Sequence, residues 1–195
     1  MAPSSELHAI VGLGNPGDEY ARTRHNAGFW CVDRLAERAR ATLRREAKFH
    51  GDLGRIRLGD VEVLLFKPAT FMNRSGQAVQ ALAQFYKLTP DRLLIAHDEL
   101  DLPAGTVRLK LGGGHGGHNG LRDVHRALGP DYRRLRVGIG HPGDKTLVLN
   151  YVLGRPSRDD EATIQRGIDA ALAALDTWLS RGWERAIHQL HSKPV

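Results

Sequence analysis

The order of apolar and polar residues follows two repeats along the chain, one typical of strands and one typical of helices. Short apolar runs bounded by glycine or charged residues predict six strands, over residues 7–13, 55–58, 61–66, 92–97, 106–111 and 135–139. Apolar residues spaced three or four apart predict helices over residues 26–45, 75–88, 119–128 and 160–179, with residues 183–190 extending the last one after a break. The Gly59-Asp60 pair between two of the strands is typical of a hairpin turn.

This alternation of strands and helices predicts an α/β fold. We expect a single domain with a mixed, mostly parallel twisted sheet and helices packed on both faces. The domain is predicted to span residues 1–195, with residues 1–6 disordered and residues 157–190 forming a C-terminal helical region. In such sheets ligands bind in the crevice outside the carboxyl ends of the strands. Residues that carry out chemistry are therefore expected shortly after several different strands.

Composition narrows the classes of protein and partner. The 195 residues carry a net charge of +6, and 22 of the 28 basic residues are arginine, whose planar guanidinium pairs bidentately with phosphate. This balance is consistent with a nucleic-acid partner without proving one, because GC-rich codon usage also raises the arginine content. No apolar run approaches the roughly 18 residues that span a bilayer. The N-terminal MAPSSE does not resemble a signal peptide, and Cys31 is the single cysteine, so we expect a cytoplasmic protein.

The stretch VGLGNPGDEY, which completes the first predicted strand, contains three glycines with the spacing of the dinucleotide-binding fingerprint. Pro16 and Gly17, however, suit the centre of a type II turn. The acidic pair that follows would face a pyrophosphate, and the helical pattern starts only after a further loop. We interpret the stretch as a rigid turn that directs Asn15, Tyr20 and His25 over the end of the strand.

Four polar residues follow different predicted strands, as a site in this crevice requires: His25, Asn73, Asp98 and Asn119. An imidazole whose second nitrogen bonds a carboxylate is a general base near neutral pH. Carboxamides supply uncharged donors for a developing oxyanion or a positioned water. Each residue also has an alternative: a loop or cap residue for His25, and a helix cap for each asparagine. Asp98 competes with Glu99 and Asp101, either of which can be simply a solvated turn carboxylate. Their joint placement favours a catalytic cleft.

A nucleophilic side chain and a metal ion are the other options. No G-x-S-x-G motif occurs, and Cys31 lies among the apolar residues of the first helix, where a core position is typical. Residues of the types that bind metal ions cluster near the glycine loop of residues 112–117. They are His115, His118, His97, Asp98 and Glu99. The glycines around them favour close approach of a backbone or phosphate over a preorganised metal site. We therefore predict an activated water and no metal.

Four segments, taken together and in order, closely resemble the bacterial peptidyl-tRNA hydrolase family: VGLGNPGDEYARTRHNAGF, KPATFMNRSGQAV, HDELDLPAGTVRLKLGGGHGGHNGLRD and RLRVGIGHPG. The likeness spans residues 7–155, and the C-terminal helical region is compatible but less diagnostic. The resemblance implies hydrolysis of the ester between a peptide, or an N-blocked aminoacyl group, and the 3′-terminal ribose of tRNA. It also implies a monomer without metal or organic cofactor, which binds the tRNA acceptor end and 3′ CCA.

The resemblance further implies a role for each matching residue. His25 is the implied general base that activates water, and Asp98 orients and polarises it. Asn73 and Asn119 are implied to position the water or the substrate and to bind the peptide main chain. The other implied substrate-binding residues are Asn15 at the cleft floor, Tyr20, Phe71 and Met72 on the cleft wall, Gly116 in a gating loop, and Lys110 and Arg136 on a tRNA phosphate.

Two functions of other classes stay as alternatives. The positive charge and the glycine loops also fit a noncatalytic RNA-binding module, which would bind tRNA without cleaving an ester. The glycine spacing fits, less well, an NAD-linked oxidoreductase.

Overall fold

The computed structural model describes residues 6–192. Of the residues predicted to be disordered, residues 1–5 lie outside this range. Glu6 lies within it and forms an exposed ion pair with Arg92 at 3.0 Å.

One seven-stranded sheet forms the centre of the described structure. Its strands are β1 (His8–Gly12), β2 (Arg44–Glu46), β3 (Gly51–Leu58), β4 (Val61–Pro68), β5 (Leu93–Glu99), β6 (Val107–Leu111) and β7 (Arg133–Gly138). They lie in the order β2-β3-β4-β1-β5-β7-β6. The four central strands pair in parallel, and β2, β3 and β6 add antiparallel pairs at the two ends. The predicted α/β class and mixed sheet are confirmed, but the sheet is not mostly parallel, because three of its six strand pairs are parallel and three are antiparallel.

Helices cover both faces of the sheet, as predicted. They are α1 (Ala27–Arg38), α2 (Ser75–Tyr86), α3 (Asn119–Leu128), α4 (Val148–Val152), α5 (Arg158–Arg181) and α6 (Trp183–His191). The apolar residues of α1, α5 and α6 form one buried layer, and those of α2 and α3 form the other. Alternation along β1 supplies both layers, because Ile10 belongs to the first and Val11 to the second. One sheet with helices on both faces is consistent with a single domain. That the whole chain forms a single domain stays a prediction.

None of the helices within residues 6–192 combines the length and the apolar character that a membrane span needs.

The helix predicted over residues 26–45 is wrong in its second half. α1 ends at Arg38, Arg40 has a left-handed backbone with φ of 55°, and residues 44–46 form the edge strand β2. Leu43 kept the helical spacing in the sequence, but it packs beside Gly54 at the edge of the sheet. The C-terminal prediction is accurate, since α5 and α6 are separated at Gly182, whose φ is +106°.

Candidate active site

Asp98 lies on β5 where the neighbouring strand β1 has ended. β1 follows β5 only as far as Gly12, opposite Ala96, whereas β7 continues beside β5 to Glu99. The end of β1 therefore opens a crevice at the carboxyl ends of the parallel strands, the place where α/β sheets bind ligands. Asp98 is 4% exposed there. The strand runs one residue beyond Asp98, so this carboxylate belongs to β5 and does not follow it.

His25 reaches Asp98 from the short turn Arg24–Asn26 that leads into α1. Its Nδ1 donates a hydrogen bond to Asp98 Oδ2 at 2.8 Å. The turn is fixed because α1 lies directly on β1: a Cβ on Gly12 would lie 2.1 Å from the carbonyl oxygen of Gly28. The close approach of helix and strand thus sets the position of the predicted base.

The same contacts explain the glycine-rich stretch after β1. Gly12 packs against the start of α1, and a Cβ on Gly14 would lie 2.7 Å from the ring of Phe29. Gly17 has a φ of +103°, as the predicted type II turn requires. The glycines therefore serve helix packing and a turn, and α1 begins too late for its N-terminus to face a pyrophosphate.

His118 is a second imidazole on Asp98, and the sequence reasoning considered it only as a metal ligand. It is the N-cap of α3, where its Nδ1 accepts hydrogen bonds from the N–H groups of Gly120 and Leu121 at 3.1 and 3.2 Å. Its Nε2 donates to Asp98 Oδ1 at 2.7 Å. Because Nδ1 accepts two amide hydrogens, the single proton of the neutral ring must be on Nε2. A histidine directly before a predicted helix start was the signal that could have revealed it.

The two imidazoles determine the charge of the site. Burial raises the pKa of Asp98, but the charges and hydrogen bonds of His25 and His118 outweigh it and hold this pKa far below its ordinary range. Burial lowers the pKa of His25, and the carboxylate of Asp98 more than reverses this effect, so the pKa of His25 lies above its ordinary value of 6.5. Asp98 is therefore ionised, and His25 carries a hydrogen on Nδ1 with Nε2 left as the basic nitrogen.

His97 supports Asp98 through the backbone. The carbonyl oxygen of Ala96 accepts a hydrogen bond from Leu13 N, just after β1. The carbonyl of Asp98, two residues further along β5, points in the same direction, but β1 has already ended there. His97 Nδ1 donates to this carbonyl at 2.9 Å. Burial and His118 lower the pKa of His97 to about 3, so the ring is neutral and acts as a fixed donor.

A cleft of about 540 Å³ opens beside these groups. His115, Gly116 and Gly117 of the glycine loop line it, and α4 contributes an apolar part of the lining. The lining includes several of the predicted site residues and some of their neighbours: His25, Asp98, Gly116, His118, Asn119 and Leu149. The structure thus brings together His25, Asp98, Asn119 and Gly116. Asn119 is the first residue of α3 and not its cap, since His118 holds that position.

Asn15 is used inside the protein. Its Oδ1 accepts from the N–H of Met72 at 2.8 Å, and the side chain of Asn26 bonds its backbone N–H and carbonyl at 2.8 and 3.0 Å. These bonds tie together the loop after β1, the turn of His25 and the turn that carries Asn73. Asn26, which the sequence reasoning missed, is 1% exposed and acts as a clamp.

Asn73 and the predicted cleft-wall residues lie outside the lining of the 540 Å³ cleft. Asn73 is exposed in the turn Met72–Arg74, and its side chain makes no hydrogen bond with His25 or Asp98 within the described structure. Met72 is only 4% exposed and packs against the start of α3, where a Cβ on Gly120 would lie 2.6 Å from its sulfur. Tyr20 and Phe71 form an edge-to-face pair with ring centroids 6.5 Å apart.

The two predicted phosphate-binding residues lie on adjacent strands, with Lys110 on β6 and Arg136 on β7. Arg108 and Lys110 pair with Arg136 and Arg134 across the antiparallel ladder, so these basic residues share one face. Lys110 is exposed. Arg136 is half-buried, and its Nε donates to Glu99 at 2.9 Å. Glu99 lines the cleft, so the basic face reaches its rim.

Burial excludes two side chains as nucleophiles. Cys31 is fully buried in the core layer under α1, and burial raises the pKa of its thiol to about 12. Ser75 is buried at the start of α2, where its hydroxyl donates to the carbonyl of Met72. The predicted core position of Cys31 is confirmed, and Ser75 is the first residue of the helix predicted over residues 75–88.

His25, Asp98 and His118 are the described residues placed to hold a metal ion, since one ligand atom from each lies within 4.8 Å of the others. Both nitrogens that face Asp98, however, carry hydrogens that the carboxylate accepts. His115 and His118, which were considered as metal ligands, use these nitrogens otherwise: His115 Nδ1 accepts from Gly117 N, and both nitrogens of His118 make hydrogen bonds elsewhere. The donor set favours a hydrogen-bonded acid–base site.

The chain matches known proteins over nearly its whole length. A family model described as peptidyl-tRNA hydrolase matches residues 9–195, which includes the C-terminal helices. The chain is 54% identical to the peptidyl-tRNA hydrolases of Neisseria meningitidis and Neisseria gonorrhoeae over 191 residues, covering 97% of this chain and 100% of theirs.

Solved structures give the same result. The crystal structure of a peptidyl-tRNA hydrolase with n-propanol matches with a TM-score of 0.94 and 47% identity, and the match covers 100% of both chains. That of peptidyl-tRNA hydrolase from Acinetobacter baumannii matches with a TM-score of 0.93, also at 47% identity, over 98% of both chains. With sequence and fold matched over nearly their whole length, this chain belongs to the peptidyl-tRNA hydrolase family.

Proposed function

We propose that this protein hydrolyses peptidyl-tRNA by attack of a water molecule that His25 deprotonates. The bond cleaved is the ester between the peptide, or an N-blocked aminoacyl group, and the 3′-terminal ribose of tRNA. The observation that carries the proposal is the carboxylate of Asp98, buried between His25 and His118 at 2.8 and 2.7 Å beside an open cleft. A noncatalytic RNA-binding module has no use for this arrangement, and membership of the family does not support that alternative.

The reaction needs one base and one water. His25 Nε2 takes a proton from water while the oxygen attacks the ester carbonyl carbon, and Asp98 stabilises the imidazolium that forms. The tetrahedral intermediate then expels the ribose oxygen, which takes the proton back from His25. The products are a peptide carboxylic acid and tRNA with a free 3′ hydroxyl. An ester needs less activation than an amide, so no covalent intermediate is required.

Carboxamide donors would stabilise the oxyanion and hold the peptide. Asn119 lines the cleft together with His25 and Asp98, which makes it the donor best placed for the reacting carbonyl. Asn73 is exposed on the neighbouring turn, and we propose that it binds the peptide main chain further from the reacting atoms. The adjacent Tyr20 and Phe71 pair, with Phe71 58% exposed, offers an apolar surface for peptide side chains.

The pH dependence of kcat/KM tests the identity of the base. Only unprotonated His25 can accept the proton, and Asp98 raises its pKa above 6.5, so kcat/KM should fall with a midpoint above pH 6.5 as the pH decreases. The control is His141→Ala, which removes another cleft histidine and should keep the same midpoint. A wild-type midpoint at or below pH 6.5 would contradict the pairing of His25 with Asp98.

The tRNA is proposed to bind through phosphate contacts of Lys110 and Arg136, which act on any tRNA because they do not read bases. The double variant Lys110→Gln with Arg136→Gln should raise KM and flatten its dependence on salt. Each lost contact to a single strand should change the log–log slope by about 0.7. A matched control is Lys48→Gln with Arg57→Gln, which removes two exposed cations elsewhere. An equal change in slope for both double variants would leave Lys110 and Arg136 as ordinary surface charges.

We propose that the protein acts as a monomer in the cytoplasm. The single cysteine suits a reducing compartment. Release of free tRNA from an N-blocked aminoacyl-tRNA is the experiment that tests the proposed activity.

A further inference from the structure

The glycine loop, defined as residues 112–117, has to hold its shape without packing. Gly112, Gly113, Gly116 and Gly117 all have positive φ, and a Cβ on Gly114, Gly116 or Gly117 would meet nothing within 4 Å. Glycines of this kind lose much conformational entropy when they are ordered. The loop nevertheless forms a wall of the cleft and ends at His118, whose contact with Asp98 requires an accurate position. Some other group must therefore fix it.

Arg134 supplies the contacts that the loop lacks. Its guanidinium donates to the carbonyl oxygens of Gly113 and Gly114 in the loop, and to that of Pro130 at 3.4 Å. It also donates to His125 Nε2 at 2.8 Å. The residue is 2% exposed, and none of its described hydrogen-bond partners is a carboxylate. Its Nε has no hydrogen-bond partner within the described structure. A buried cation held mainly by backbone carbonyls is costly, which indicates a dedicated role.

A row of three rings lies beside the guanidinium: Tyr132 just before β7, His125 on α3 and His115 in the glycine loop. Arg134 lies 4.9 Å from the centroid of the Tyr132 ring, which is 5.5 Å from that of His125. His125 in turn is 5.7 Å from His115 of the loop. Arg134 thus holds the loop at Gly113 and Gly114. Near the centre of the loop, the ring of His115 contacts the ring of His125 on α3.

We propose that Arg134 is a positioning residue that orders the glycine loop so that His118 meets Asp98. The expected change in kcat rests on the proposed function. The expected order of the loop and the His118–Asp98 hydrogen bond do not depend on activity. Binding of a tRNA phosphate is not the role of this arginine, because its guanidinium is buried and already donates to four acceptors.

The variant Arg134→Met tests this proposal, with Arg133→Met as the matched control. Arg133 is the preceding residue of β7 and also donates to a backbone carbonyl, that of Asp91, but it lies over Trp178 and Trp183 on the other face. Loss of loop order should lower kcat by up to about 10²-fold, the effect of a displacement of about 1 Å at a reacting group, with KM little changed. Arg133→Met should retain the wild-type kcat.

A double-mutant cycle separates positioning from general damage to the fold. His118→Asn keeps an N-cap side chain but cannot reach Asp98. If Arg134 acts through His118, then Arg134→Met should add little to the loss already caused by His118→Asn. Full multiplication of the two losses would overturn the proposal, as would wild-type kcat in Arg134→Met.

A proton NMR signal gives a readout that does not depend on catalysis. The hydrogen between His118 Nε2 and Asp98 should be visible in the wild type and in Arg133→Met, and lost in Arg134→Met. His125→Phe, which keeps a ring but removes one acceptor, should weaken it and lower kcat in the same direction; it also serves if Arg134→Met does not fold. Persistence of the signal in Arg134→Met, or an unchanged signal in folded His125→Phe, would overturn the proposal. A wild-type protein that shows the signal but cleaves no ester would instead refute the proposed function.

Discussion

Replacement of His25 by alanine should lower kcat by about 10²–10⁴-fold, the usual contribution of a positioned general base. The variant removes the nitrogen proposed to accept the proton of water, whereas the basic face on β6 and β7, which we propose binds tRNA, stays intact. We therefore expect KM and tRNA affinity to stay close to those of the wild type. The measurement is the steady-state rate of tRNA release from a peptidyl-tRNA, together with a binding titration.

The control for this variant is His141→Ala. His141 also lines the cleft but is exposed, and its Nδ1 accepts from Gly143 N and not from Asp98. It should retain nearly full activity. Wild-type turnover in His25→Ala, or an equal loss in both variants, would show that His25 is not the base.

Replacement of Asp98 by asparagine should reduce kcat by about 10⁴-fold, the loss seen when an amide leaves a catalytic imidazole in the wrong tautomer. The reason lies in His118, whose Nδ1 accepts from Gly120 and Leu121, so its Nε2–H must donate to residue 98. The amide oxygen of the asparagine therefore faces His118, and its NH₂ group faces His25. His25 Nδ1 must then accept, which places the ring hydrogen on Nε2 and removes the base.

Asp101→Asn is the control for this second prediction, because Asp101 lines the same cleft as an exposed carboxylate. It should leave kcat nearly unchanged. The pH profile adds a check: without the charge of Asp98, any residual activity of Asp98→Asn should have its acid midpoint at lower pH than the wild type. Equal activity of Asp98→Asn and the wild type would remove the carboxylate from the mechanism.

The arrangement of the fold was predictable because strands and helices in an α/β protein have distinct apolar repeats. The helix over residues 119–128 and the break at Gly182 were predicted correctly, since a glycine directly follows the helix in each case. The strand β2 was not, because it is a short, exposed edge strand with three charged residues and no apolar repeat. Its pairing with β3 is a tertiary effect that local periodicity does not encode.

Predicting the site from the sequence worked best where a side chain must lie at the end of a parallel strand. That rule placed His25 and Asp98 in one crevice, and the hydrogen bond between them has the predicted partners. His118 escaped because its two roles, capping α3 and donating to Asp98, depend on how α3 meets β5. Asn26 was missed for a similar reason, since its clamp on Asn15 depends on how the turn of His25 packs against the loop after β1.

The central claim is that His25, paired with Asp98, deprotonates the water that cleaves the ester. Its most direct test is the release of tRNA from an N-blocked aminoacyl-tRNA by the wild type and by His25→Ala, with EDTA present throughout. We expect rapid release by the wild type despite EDTA, and release slowed by about 10²-fold or more in the variant. Release that EDTA abolishes, or equal rates for the two proteins, would contradict it.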